Sequence, residues 1–264
     1  MAFMLKNGIA LGGGGARGLA HIGVIKALEE LHIPIHFISG TSIGAIIGGA
    51  YASCTFDKAL SWVSVANWKK LPRLFIDFHL SKKALIRGDR IEKFFREMIL
   101  VKSFEELSIP FVVISTDLMQ GREIAIKSGN LHSAIRASMS VPGVFSPVAR
   151  DGHILVDGGL VNPIPVNACR DLGADRVIAV DLNSMDDSEK EVDFAKLNIF
   201  SVVDETFRVV MNIASARSFA SPPDILLQPP LGEISFFDFH KANEIVRIGY
   251  EYTMDRQEEL IGMC

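Results

Sequence analysis

The chain has 264 residues, 48% of them hydrophobic and 22% charged, with a net charge of -4 and a pI near 6.0. That length suits one large domain with a sizeable core, and the balance is that of a globular protein rather than a disordered one. The mild acidity leaves no basic footprint for nucleic acid and no electrostatic pull toward an anionic bilayer.

Met1 to Gly8 runs directly into strand-like Ile9-Ala10-Leu11, without the charged and apolar regions of a secretory leader. No apolar run reaches the about 18 residues that a spanning helix needs. Cys54, Cys169 and Cys264 are odd in number and far apart, which forms neither a disulfide framework nor a metal spacing. The expectation is a soluble cytoplasmic protein with no metal and no cofactor, whose only membrane contact is peripheral, at the inner face.

Asn7 to Leu11 reads as a strand that breaks into Gly12-Gly13-Gly14-Gly15-Ala16-Arg17-Gly18. A helix follows from about Leu19 to Leu31, with Ile22, Ile25 and Leu28 on one side. Ile35 to Ile38 is then a second strand, completing a βαβ unit whose two βα turns lie at carboxyl ends of a parallel sheet.

Three readings compete for the glycine loop. Gly13-x-Gly15-x-x-Gly18 has the form of a dinucleotide fingerprint, but the second strand ends in Ser39-Gly40-Thr41-Ser42 and lacks the acid that would hold a ribose. A P-loop needs Gly-Lys-Ser/Thr where this chain has Arg17-Gly18-Leu19. The third reading is an oxyanion cradle made of glycine amides at a helix start.

Gly40-Thr41-Ser42-Ile43-Gly44 follows the second strand and precedes a helix of small and apolar residues, Ile43 to Ala50. Strand, sharp turn and helix make a nucleophile elbow, in which Gly40 and Gly44 leave room around the Ser42 hydroxyl. By itself the pattern is a modest signal in a chain with 22 glycines. A serine elbow one strand away makes the oxyanion reading of Gly13, Gly14 and Gly15 the most economical.

Further along, Asp57 to Lys70 reads as a helix, and Leu71 to Leu80 as a core-covering loop or an apolar flap over a lipid-sized groove. Asp89 caps a helix through Leu100. Pro110 to Asp117 and Gly121 to Lys127 form a hairpin, and Asn130 to Ser138 a short helix. His153 to Val156 is a strand delivering Asp157-Gly158-Gly159 to the edge that carries Ser42. Then come a helix from Pro165 to Leu172, a strand from Arg176 to Asp181 and an acidic solvated run from Ser184 to Asp193. A helix over Phe200 to Phe219, a strand at Asp224 to Gln228 and one helix from His240 to Leu260 close the chain. Nothing marks a repeat or a linker, so one α/β domain is expected over 1–264.

Ser42 needs a proton acceptor. The order Ser42, Asp157, His240 would make a triad, but His240 sits at a helix start with no glycine loop to present it. Asp157, a strand-end acid followed by two glycines, has a signature. Arg17 braces the loop or meets a phosphate headgroup.

Gly13 to Gly18, Gly40 to Gly44, Ala137-Ser138-Met139-Ser140-Val141-Pro142-Gly143 and Asp157-Gly158-Gly159, in that order, resemble the four blocks of the patatin-like phospholipases. Arg87 to Arg90, Val161 to Pro165 and Pro222 to Leu226 give the chain most resemblance to the small bacterial, RssA-like branch related to the catalytic domain of neuropathy target esterase. The resemblance implies a single-domain three-layer α/β/α sandwich with a mainly parallel central sheet, its core over about 8–183 and a C-terminal segment of about 198–264 packed on it. It further implies a Ser42–Asp157 dyad, an oxyanion hole from the Gly13 to Gly15 amides, and cleavage of acyl-lipid or lysophospholipid esters without metal or cofactor. A general esterase or thioesterase, and a non-catalytic regulator keeping the fold, are the alternatives.

Overall fold

The computed structural model describes residues 5–64, 89–183, 199–218, 221–232 and 234–263. The apolar stretch 71–80 and the acidic run 184–193 lie outside the described residues. Eight strands form one sheet: β1 (Asn7–Leu11), β2 (Phe37–Thr41), β3 (Phe111–Asp117), β4 (Arg122–Ile126), β5 (Val148–Arg150), β6 (His153–Asp157), β7 (Arg176–Val180) and β8 (Ile225–Leu227). The order is β5-β6-β3-β2-β1-β7-β8, with β4 also paired to β3. The five strands from β3 to β8 through β1 are mutually parallel, while β4, β5 and β6 join by antiparallel pairing.

Alternation along the strands sorts side chains to two faces. Ile9, Leu11, Ile38, Val113, Ile178 and Val180 enter the larger core. It is built with helices α1 (Ala20–Glu30), α2 (Ile43–Ala52), α4 (Asp89–Met98), α5 (Leu131–Ser138), α7 (Ile199–Ser218), α8 (Ala242–Met254) and α9 (Gln257–Met263). Ala10, Val177 and Ala179 face the other way and pack on Val166 and Cys169 of α6 (Val166–Asp171), as Val112 and Ile114 pack on its Ala168. Three layers result. The remaining helix, α3, covers Phe56–Ser64.

Two expectations need correction. The final helix is not continuous: it is preceded by a 3-10 turn at Phe239–Lys241 and breaks at Asp255 and Arg256. Arg256 reaches out of the helical path to the Leu226 carbonyl (2.7 Å) at β8 and to the Tyr252 hydroxyl (3.0 Å), so a tertiary contact overrides helix propensity. The second strand starts two residues later than expected and includes Gly40 and Thr41, which makes Ser42 the first residue beyond it.

β2 and β3 lie on one side of β1, β7 and β8 on the other. The order therefore reverses between β1 and β7, and the crevice at their carboxyl ends is where open α/β sheets bind ligands. The glycine loop leaves β1 at this point.

Candidate active site

Ser42 caps α2 with φ 55 and ψ -121, a conformation that costs a non-glycine residue about 1–3 kcal/mol. Surrounding bonds hold it there. Its amide donates to Ser138 Oγ (2.8 Å), and the Ser138 hydroxyl donates in turn to the Ile114 carbonyl in the middle of β3 (2.5 Å). Thr41 Oγ1 donates to the Asn162 carbonyl (2.9 Å) just before the turn. Gly44 answers a steric demand: a methyl group there would stand 2.1 Å from the Leu11 carbonyl oxygen, so only glycine lets α2 start against the end of β1. Gly40 lies inside the same turn, against the Gly44 carbonyl and the Ala45 backbone.

Asp157 reaches the serine by an unexpected route. Its strand runs antiparallel to β3, with Asp157 opposite Ser115, and not parallel as a shared strand edge would suggest. Thr41 of β2 is level with Ile114, so β3 extends past β2, and Ser115 is level with position 42. β6 comes in from beyond the edge and stops where it meets the elbow. There the Ser42 hydroxyl donates to Asp157 Oδ2 at 2.7 Å. The Gly159 amide donates to Oδ1 (2.8 Å), and Thr116 Oγ1 donates to the Asp157 carbonyl (2.8 Å). Gly158 presses against the Ile114 backbone, whose oxygen would be 2.3 Å from an added methyl.

Asp157 is fully buried and Ser42 only 4% exposed. Burial raises the Asp157 carboxyl from 3.8 to about 7, against the opposing pull of its bonds from Ser42 and Gly159. An acid raised toward neutrality in this way is matched to exchange a proton with the hydroxyl beside it.

The glycine loop borders the same hydroxyl: a methyl on Gly13 would be 3.4 Å from Ser42 Cβ. The Gly13 amide already donates to the Pro163 carbonyl (3.0 Å), whereas among the described residues the amides of Gly14 and Gly15 have no acceptor. Gly15 starts a 3-10 turn to Leu19 and lies against the Phe236 ring. Arg17 is buried and its Nε donates to the Gly14 carbonyl (3.3 Å), a bracing position. Gly18 makes room for Ile43 of the elbow helix. His21 Nε2 lies 2.7 Å from the Gly12 carbonyl. Burial lowers His21 to about 4, so the ring is neutral and Nε2 carries the proton it donates. From the segment just after β7, Asn183 Nδ2 donates to the Gly13 carbonyl (2.8 Å).

Met211 of α7 covers this arrangement. Its Cε would be 2.7 Å from a methyl on Gly13 and 3.1 Å from one on Gly159. His240 is elsewhere in character, with a 54% exposed side chain whose Nδ1 is 3.8 Å from Asp238 Oδ1. Ser138, Asn183 and Met211 were not singled out as site residues from the sequence. Ser138 sat inside a recognised block, whereas Asn183 and Met211 follow no motif. Among the described residues no cluster of His, Cys, Asp and Glu is suited to a metal ion.

Residues 9–170 match the family model described as patatin-like phospholipase. A patatin-like phospholipase domain-containing protein of Caenorhabditis elegans is 32% identical over 292 residues, covering 96% of this chain and 21% of that protein. An uncharacterized NTE family protein of Mycobacterium bovis is 37% identical over 215 residues, covering 80% of this chain and 59% of that one. The chain thus spans about a fifth to three fifths of the length of these relatives. The crystal structure of VipD from Legionella pneumophila has the same fold, with a TM-score of 0.50 at 14% identity, over 97% of this chain and 67% of that one.

Proposed function

Because the chain belongs to the patatin-like phospholipase family, we propose that it is a serine acyl hydrolase in which Ser42 is the nucleophile and Asp157 the general base. The observation that carries this reading is the 2.7 Å bond from a strained, elbow-borne serine hydroxyl to a buried carboxylate. In the first step Asp157 Oδ2 takes the Ser42 proton as Oγ attacks the ester carbonyl. The oxyanion of the tetrahedral intermediate is held by the Gly14 and Gly15 amides. This narrows the expected trio, since the Gly13 amide is engaged by Pro163. Collapse breaks the bond to the leaving oxygen, which receives the proton from Asp157. Water then gives a proton to the same carboxylate and attacks the acyl-enzyme, and the second collapse returns the proton to Ser42.

The substrates proposed are acyl esters of lipids, of phospholipase A or lysophospholipase type. Apolar neighbours support this choice: Met211 against Gly13 and Gly159, and Phe236 against Gly15, packed edge-on to Phe207. No helix among the described residues is long and apolar enough to cross a membrane. No metal or cofactor enters the scheme.

The test is fluorophosphonate labelling with peptide mapping, together with hydrolysis of lysophospholipid and of short soluble esters. Label on Ser42, loss of turnover in Ser42→Ala and Asp157→Asn, and a rate that rises when substrate passes into micelles are expected. Faster turnover of the short soluble esters would replace the lipid substrate by a soluble one. Absence of both label and turnover would overturn the hydrolase reading.

A further inference from the structure

The glycine loop is held by a ladder of side chains. Three successive carbonyls each meet a donor: Gly12 O meets His21 Nε2 at 2.7 Å, Gly13 O meets Asn183 Nδ2 at 2.8 Å, and Gly14 O meets Arg17 Nε at 3.3 Å. A trans peptide unit is planar, and its C=O and N–H point opposite ways. Fixing a carbonyl therefore also aims the amide of the next residue. In the first unit the Gly13 N–H, opposite the His21 bond, is used by Pro163. In the second unit the bond from Asn183 turns the Gly14 N–H away from Asn183, and that N–H has no acceptor among the described residues.

We propose that Asn183 is a positioning residue of the oxyanion hole, which fixes the Gly13–Gly14 peptide so that the Gly14 amide faces the carbonyl oxygen of the ester bound at Ser42. This rests on the hydrolase reading above. Asn183 is suited to the task by its own anchoring. It is buried, its backbone amide donates to Asp181 Oδ1 (2.9 Å), and Asp181 Oδ2 is held by Gln228 Nε2 (3.0 Å) at the end of β8. Leu182 packs against Gly14, its Cβ 3.0 Å from where a methyl would sit. Three consecutive residues just past β7 thus form a bracket: Asp181 fixes Asn183, Asn183 fixes the peptide, and Leu182 packs against Gly14. A peptide held before the reaction needs no reorganisation when charge develops, and that is the source of an oxyanion hole's advantage over water. The bracket also gives a purpose to the strand-order reversal between β1 and β7, because that reversal brings the end of β7 beside the loop that leaves β1.

The experiment compares wild type, Asn183→Leu and Asn183→Asp. Leu keeps the bulk without a donor, and Asp keeps the shape with acceptors only, so either variant answers if the other fails to fold. Two probes are used: a 4-nitrophenyl ester, and an aryl trifluoromethyl ketone whose adduct with Ser42 carries an oxyanion. Loss of a whole oxyanion donor costs about 100- to 1000-fold in kcat, so an unanchored one should cost about 10- to 100-fold. The expected result is that loss in kcat at nearly unchanged KM, an equal loss in ketone affinity, and an unchanged midpoint of the pH profile. A variant with a lower Tm but wild-type kcat and ketone affinity would mean that Asn183 is only structural and would overturn the inference alone. A wild-type protein inert to both probes would overturn the hydrolase reading and this inference together.

Discussion

Replacing Asp157 by asparagine should make the protein more stable while making it inactive. The carboxyl is fully buried, and burial moves it from 3.8 to about 7. Between those values the native state holds a proton that the unfolded chain has lost. Stability from this group is therefore complete below about pH 4 and is lost as the pH rises to about 7. At about 1.4 kcal/mol per pH unit, the native state above pH 7 is poorer by about 4 kcal/mol. Asparagine carries no proton to lose and keeps both bonds, its oxygen accepting from Gly159 and its amide donating to Ser42 Oγ. Urea unfolding of wild type and Asp157→Asn at pH 5 and pH 8 should show wild type losing about 3 kcal/mol relative to the variant over that interval. Turnover of the variant should fall by about 100- to 10 000-fold, the usual worth of a general base. Parallel stability curves for the two proteins would refute the reasoning, since they would mean that Asp157 ionises in the native state as it does in water.

The same carboxyl sets the activity profile: kcat/KM of wild type should rise through about pH 7 and level off above it, as a base that must be ionised requires. A profile already flat from pH 5 would contradict this. Ser138→Ala leaves the Ser42 amide without its acceptor, and should cost about 1–3 kcal/mol in a denaturant titration and slow fluorophosphonate labelling. Gly44→Ala drives a methyl into the Leu11 carbonyl, where neither strand nor helix can yield; a loss of more than about 3 kcal/mol, or no soluble protein, is expected. His240→Ala should leave ester turnover within about twofold of wild type, because that half-exposed ring pairs with Asp238.

The parts of the molecule that follow local rules were legible in the sequence. Ile9-Ala10-Leu11 and Phe111 to Ile114 are short continuous apolar runs, as strands buried on both faces are, and with the amphipathic stretch between the first two strands they mark the βαβ unit. The elbow was readable because glycine at 40 and 44 has a steric cause inside the turn itself. Long-range geometry was not readable. Nothing near Asp157 shows that its strand is antiparallel, since pairing direction is decided by a partner 41 residues away, as the bond from Thr116 marks. Asn183 and Met211 escaped for the same reason: each acts on a glycine far from it in the chain, across a fold that its own neighbours do not specify. The break at Asp255 was hidden because Arg256 departs from the helix to serve the end of β8, which no helical pattern encodes.

The antiparallel entry of β6 also works as a ruler. Ser42 follows β2 and Asp157 ends β6, and these two strands flank β3, two strand spacings apart, about 9.6 Å. A serine reaches about 2.4 Å from Cα to Oγ and an aspartate about 3.6 Å from Cα to Oδ. With the 2.7 Å bond between them, the two side chains span that gap almost completely. An imidazole placed in between would add about 5 Å, roughly the width of one further strand. With β3 alone between β2 and β6, the Ser42 hydroxyl meets Asp157 directly, and the ladder of β3 to both strands keeps that spacing.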